Sequence, residues 1–552
     1  PERVRPTPTA AAPPPTPEPD GHPTPLVAVA ERPARPTIVQ FPVQLREVVT
    51  PTLAALAAAN EPPTLFGHGG VLIRLNPESA EKPVTPMSKS QLRLALSDAA
   101  DFVNEATSKS GEVTQKPAYP RPEVVESIQD HPGGWPGVPE LKAVANCPVV
   151  TAASGLLTRP GFDPASGVYL LPSGHHDVDP IPERPDADDV EQAKELLLGE
   201  LLGDFPFRDE ASRANTLALF ILPFVRDLIR GPTPLHHIDA PQEGTGKSLL
   251  AQTWAAVALG RELPSFGEVT KADDWQKTLL AALMEAPPVV FLDNLNQTLD
   301  SGTLASALTS PVVSGRLLGF SRIVSAPVRN VWISSANNLT MSRELVRRTV
   351  AIKLLPNRKH AYQNKTYRHQ LPDWAELQRG KLVWACLVLC QAWVARGKPP
   401  GRKLLGRFES WSMVIDGILW NAGIDGLLAN MDDFRDGAVD EQDDWDGFVA
   451  LWWEQYGNRW VTVRDLFPMT QNNDMLKQAR GDRTDDSQRI RLGSAIKKHR
   501  DAVFADGFQI VAPDLSTEQR AAKRVVQYRL VKLGEVEVKP PQPQPSGSLI
   551  PD

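Results

Sequence analysis

The stretch DAPQEGTGKSLLAQ, residues 239–252, holds the residue types that cradle phosphate. It fits the pattern G-x-x-x-x-G-K-[ST] at every fixed position except the first, where Pro241 stands in place of glycine. In such a loop successive backbone N–H groups and the start of the next helix surround phosphate oxygens, and a lysine adds a point charge. Gly244, Thr245 and Gly246 supply backbone that a ligand can approach closely; Lys247 is placed to reach the β and γ phosphates, and Ser248 to contact magnesium. The first glycine mainly shapes the turn leaving the strand, where a residue fixed at φ near about −65° also serves. The expected ligands are therefore ATP and Mg2+.

Three further sites could complete that chemistry. PVVFLDNLN ends an apolar run on Asp293, a carboxylate suited to holding magnesium through water. Many ATPases carry glutamate next, to polarise the attacking water; here the residue is Asn294, whose amide can orient water but cannot take its proton. NVWISSANN ends on amides, so Asn337, with Asn338 as runner-up, is expected between the γ phosphate and that water. MSRELVRRTVAIKLLP brings Arg347 and Arg348 just before the last strand, where an arginine projecting into a neighbouring subunit would stabilise transition-state charge. Action in trans requires an oligomer, and a ring is the closed form of a head-to-tail contact.

These residues need a frame. Between 232 and 356 the runs PLHHIDA, PPVVFLDN, VRNVWISS and RTVAIKLL alternate with helical segments, the signature of parallel strands covered on both faces. An α/β nucleotide-binding core follows. Residues 191–231 read as a helical connector and 37–190 as an α+β domain, with Asp186 or Asp189 as candidate caps near its end. Residues 1–36 are a proline-rich tether, 357–430 a helical subdomain, 431–443 an acidic linker, and 538–552 a disordered tail. His175 and His176 sit beside acidic residues in SGHHDVDP, where turn chemistry outweighs a metal site.

The chain has 552 residues, 41% apolar and 23% charged, and a net charge of −7, so nothing global demands a nucleic-acid partner. LALFILPFV is far short of the ~20 residues that span a bilayer, and the start of the chain carries no secretion signal. Cys147, Cys386 and Cys390 form neither a disulfide framework nor a zinc site; a cytoplasmic protein is expected.

The combination of DAPQEGTGKSLLA, PPVVFLDNLNQTLDSGTLASALTSPVVSGRLLGFSR, VWISSANNLTMSRELVRRTVAIKL and RFESWSMVIDGILWNAGIDGLLAN resembles the AAA+ helicase-like ATPases of phages and mobile elements. These are related to superfamily 3 helicases and often follow a primase or primase-polymerase. The resemblance implies Lys247 and Ser248 on phosphate and magnesium, Asp293 on magnesium, Asn337 as sensor and Arg347 or Arg348 as finger. It also implies a ring, expected to be a hexamer, and a possible primase or polymerase partner. In this family the segment before the sensor strand forms a hairpin that grips DNA, which nominates Arg316 and Arg322 in SGRLLGFSRIVSAPVRN.

Residues 444–537 run helix, helix, basic helix, hairpin, the order of a winged-helix DNA-binding domain. Arg489, Arg491, Lys497, Lys498 and Arg500 crowd the basic helix, and Lys523 and Arg524 the wing. The expected fold class is thus an α/β AAA+ P-loop core with an N-terminal α+β domain and a C-terminal winged helix. The expected function is an ATP-driven DNA helicase or translocase in replication of a phage, plasmid or mobile element. The alternatives are a nucleotide-gated DNA-binding assembly factor and a loader or packaging ATPase that does not unwind.

Overall fold

The computed structural model describes residues 35–532, apart from 80–81, 175–176, 242–243, 267–271, 296–298, 317–322, 338, 340, 356–366, 474, 482–483, 501, 503, 505–506 and 514–525. Arg322, Asn338, His175, His176, Lys523 and Arg524 therefore lie outside the described residues, as do the tether up to residue 34 and the tail from 533.

At the centre is a five-stranded parallel sheet. The loop strand Leu235–Ala240 lies between Thr349–Lys353 at one edge and Val331–Asn337; beyond the latter come Val289–Leu295 and the two-residue Ser265–Phe266. Successive side chains on a strand face opposite ways, so an apolar run needs cover on both sides. Val289 and Phe291 pack on one face, with the helices Glu210–Val225, Lys247–Ala258, Arg379–Ala395 and Glu409–Asn421. Val290 and Leu292 pack on the other, with Ala272–Leu283 and Gly302–Thr309. Cys147, Cys386 and Cys390 are buried free thiols, and burial pushes Cys147 up to about 12.

A polar knot ties the first helix of this core to the edge strand. The Asn215 amide donates to the Ala351 carbonyl (2.8 Å) and to Asn430 Oδ1 (3.1 Å), and its oxygen accepts from the Leu428 N–H (2.9 Å). Asn215 is fully buried, and burial is tolerated because those bonds satisfy its polar atoms.

Residues 37–190 do not share one core. The strands Thr37–Phe41, Asp101–Thr107 and Val113–Ala118 form a three-stranded sheet. Helices Leu45–Ala58, Lys89–Ala99 and Pro122–Gln129 pack with Ile38 and Phe102 of that sheet. A second antiparallel sheet, Leu65–His68, Val71–Leu75 and Val84–Pro86, closes its own small cluster around Phe66 and Ile73. Cys147 and Val150 instead bury in the main core. The helix Ala187–Lys194 opens on Asp186, whose carboxylate accepts the Asp189 N–H in a capping box.

The expected linker 431–443 lies inside a helix, Met431–Tyr456. Acidic, glycine-containing composition suggested turns, yet Met431 at one end is anchored in the main core, and Trp445, Phe448 and Trp452 at the other in the C-terminal core. Helical order comes chiefly from such packing rather than from propensity. Beyond it come Val463–Asn472, Lys477–Arg480 and Asp485–Lys498, then antiparallel Phe508–Val511 and Gln527–Lys532, with Val461–Thr462 as a third strand. No helix among the described residues is long and apolar enough to cross a membrane.

Candidate nucleotide site

The carboxyl ends of the central strands form a crevice, the usual ligand position in an open parallel sheet. The loop strand ends at Ala240, and the helix Lys247–Ala258 begins immediately after Gly246. Gly244 has φ 72° and Gly246 φ 103°, left-handed conformations that favour glycine. Among the described residues no side chain caps this helix, and a helix start of this kind favours an acceptor that carries negative charge. Thr245 is buried, whereas Gly244 and Ser248 are exposed. Open helix start, left-handed glycines and adjacent lysine fit a bound phosphate group.

Lys247 is 8% exposed, and its ammonium donates to Asn337 Oδ1 at 2.5 Å. Ala240 pairs with Asn337 across the loop strand and its neighbour, so register brings the two together. On the other side of Val331–Asn337, Leu292 pairs with Ser334, and pairing resumes only at Leu295 with Ala336. Asp293 and Asn294 occupy that irregularity. The Ser335 hydroxyl donates to Asp293 Oδ1 (2.6 Å) and accepts the Asn294 N–H (3.1 Å). Asn294 has φ 46°, and both Asp293 and Asn294 are exposed. Three adjacent strand ends thus bring lysine, two amides and a carboxylate together.

Ser335 has no counterpart in the sequence-based set. Its signal was the serine pair in WISSANN, but only strand register shows that Ser335 meets Asp293. Ser334 is likewise used beneath the loop, where its hydroxyl lies 2.9 Å from His237 Nδ1. Burial pushes His237 down to about 4, Asp239 opposes that shift, and Lys353 and Lys247 add to it. His237 is therefore neutral near pH 7.

Arg347 and Arg348 precede Thr349, which pairs with Leu235 at the start of the loop strand. From Leu235 to Ala240 the strand advances roughly 16 Å at about 3.3 Å per residue, so both arginines sit at the end of the sheet away from the phosphate loop of their own chain. Arg348 is engaged locally: it donates to the Glu344 carbonyl (2.6 Å) and pairs with the Glu344 carboxylate (3.1 Å). Arg347 is exposed and has no ion pair among the described residues.

The DNA candidates fall into two places. Val312–Arg316 and Ile323–Pro327 pair antiparallel, with exposed Arg316 opposite Ile323 at the end nearest the tip. In the C-terminal module the basic helix is largely occupied within the chain. Arg489 pairs with Asp486 and lies 5.8 Å from the Phe467 ring, Lys498 pairs with Asp300 beside the nucleotide core, and Arg491 packs against Gly481. Arg500 also interacts within the chain, with an electrostatic effect on Tyr528. Of the five, Lys497 alone is without a partner among the described residues. A first-turn acid, Asp486, and the neighbouring Asp300 thus compete for two of the charges on this helix.

No family model matches the chain, and no curated protein matches it. Among solved structures, it is similar to the apo A form of the NrS-1 C-terminal region, at 12% identity and a TM-score of 0.29, covering 81% of this chain and 99% of that one. It is also similar to the active helicase Cch of SCCmec type IV, at 13% identity and a TM-score of 0.31, covering 85% and 97%. Scores this low carry no inference about chemistry, which stands on the geometry of the crevice.

Proposed function

We propose that this chain is a DNA-stimulated ATPase that works as a ring-forming helicase or translocase in replication of a phage, plasmid or mobile element. The observation that carries the reading is the convergence of Lys247, Asn337, Ser335 and Asp293 at three neighbouring strand ends beside an uncapped helix. Backbone N–H groups of Gly244–Ser248 bind the phosphates, and Lys247 neutralises β and γ charge. Ser248 and Asp293 would hold magnesium, which when bound supplies charge neutralisation on the same oxygens. Asn337 and Asn294 orient the attacking water. Arg347, too far from its own loop, completes the site of the adjacent subunit, which makes a head-to-tail ring, of about six subunits by family resemblance, the working form. Arg316 and the C-terminal module contact DNA, and a primase or polymerase is the expected partner in replication.

Asn294 supports a second reading. An amide cannot accept the water's proton, so a nucleotide-gated assembly factor with slow turnover, or a loader that never unwinds, would use the same crevice. ATP hydrolysis measured with and without single-stranded DNA, for the unmutated chain and Lys247→Ala, separates these. Turnover that rises with DNA and is lost in the variant supports the motor. Tight ATP binding with no turnover in either protein rejects it in favour of the gated assembly factor; where turnover does rise with DNA, strand separation distinguishes helicase from loader.

A further inference from the structure

The three-stranded sheet near the start of the described chain carries a surface that its own core does not use. Phe41, at the end of Thr37–Phe41, is 51% exposed, and Tyr119, just after Val113–Ala118, is 77% exposed. Burying such rings is normally favourable, so two aromatics left open on one small sheet need a reason. Gln40, next to Phe41, links the two outer segments: its buried amide donates to the Tyr119 carbonyl (2.7 Å) and its oxygen accepts the Arg121 N–H (3.1 Å). Each ring has its own arginine: Arg121 lies 5.6 Å from the Phe41 centroid and Arg93 lies 6.0 Å from that of Tyr119.

The charge is as notable as the rings. Two of the carboxylates nearby are engaged elsewhere, Glu126 on Lys89 and Asp101 on Arg35. Glu47, Asp98 and Glu123 share its helices, but none pairs with an arginine among the described residues. Arg93, Arg121 and Arg46 are exposed and have no ion pair there. Exposed rings bordered by unpaired guanidinium groups match one ligand chemistry well: flat bases that stack, joined by phosphates that need positive charge.

We propose that Phe41, Tyr119, Arg93 and Arg121 form a stacking surface for a single-stranded nucleic-acid segment, separate from the hairpin and the C-terminal module. The rings take base faces and the guanidinium groups take the backbone. Binding here needs no nucleotide in the crevice, so its test is independent of ATP turnover.

The experiment is fluorescence anisotropy of the full chain with labelled oligo(dT) or oligo(U), without ATP, across a series of salt concentrations. Phe41→Ala with Tyr119→Ala is expected to weaken binding by at least about tenfold while leaving its salt dependence unchanged. Arg93→Ala with Arg121→Ala is expected to flatten the slope of log affinity against log salt by roughly 1 to 1.5. Phe41→Tyr with Tyr119→Phe keeps both rings and should bind as the unmutated chain does. Because all four side chains are exposed, thermal unfolding should not change. Preference for oligo(dT) or oligo(U) identifies the nucleic acid. Equal affinity of unmutated and variant chains, or no binding by either, overturns the proposal. So does binding of a labelled proline-rich peptide that responds to these variants while neither oligonucleotide does, which would make the patch a protein-docking surface.

Discussion

The crevice and the basic helix Asp485–Lys498 use charged and polar side chains in opposite ways. In the crevice, partners come from different strands: Lys247 meets Asn337, and Ser335 joins Asp293 to Asn294. On the basic helix, Arg489 turns back to Asp486 one turn away, and Lys498 is tied to Asp300. Where contacts are long-range and partly buried, each group is held in one place and loss of one disturbs the rest. Where they are exposed, whether one turn away as at Arg489 or distant in sequence as at Lys498, the same charges contribute little and exchange readily with solvent or a phosphate.

That contrast can be broken at several points. The largest effect is expected at Arg347: Arg347→Ala should lower kcat on the order of 1000-fold with ATP affinity retained, and mixing with Lys247→Ala chains should restore part of the turnover. Restoration shows that each chain supplies what its neighbour lacks; equal inactivity of mixture and single variants would remove the trans role. Ser335→Ala should lower turnover about tenfold and raise the magnesium concentration required, since Asp293 loses the donor that fixes it. Unchanged magnesium dependence would make Ser335 merely structural.

Acid should act on the crevice side as well. Burial holds His236 down to about 3 and His237 to about 4, both below the ordinary value of 6.5. A depressed folded value means that stability is fully present above pH 6.5 and is lost as pH falls from there towards 4, because the unfolded chain takes up the protons first. His236 stands edge-on to Trp411 in the core, so His236→Phe should flatten the fall in melting temperature between pH 7 and about pH 5, measured by thermal unfolding. The smallest effects belong to the basic helix. Lys497→Ala should reduce the salt slope of DNA binding by about 0.9, while Arg489→Ala should leave binding unchanged and cost about 0.5 kcal/mol of stability. Equal effects of the two would mean that the Arg489–Asp486 pair opens on DNA.

Much of the crevice was legible because its motif is local. A loop and the helix after it lie within a dozen residues, and strand-end residues follow apolar runs that sequence displays directly. Ser335 was not legible, since its role depends on which residue of a neighbouring strand it faces. The helix through 431–443 was missed for a related reason: tertiary anchors at both ends override a middle that composition marks as turn-forming. Phe41 and Tyr119 belong to no motif that sequence displays; only their exposure and their arginines set them apart.

The helix that starts at the phosphate loop is also anchored at its other end. The Arg379 guanidinium, buried among three segments, donates to the Val257 carbonyl (3.0 Å) in its last turn, and to the carbonyls of Asn146 (2.9 Å) and Ser173 (2.6 Å). A 12-residue helix is a stiff rod about 18 Å long. Arg379 thus ties the far end of this helix to the segments around Asn146 and Ser173, so an axial shift of the helix would either carry those segments with it or break one of these bonds.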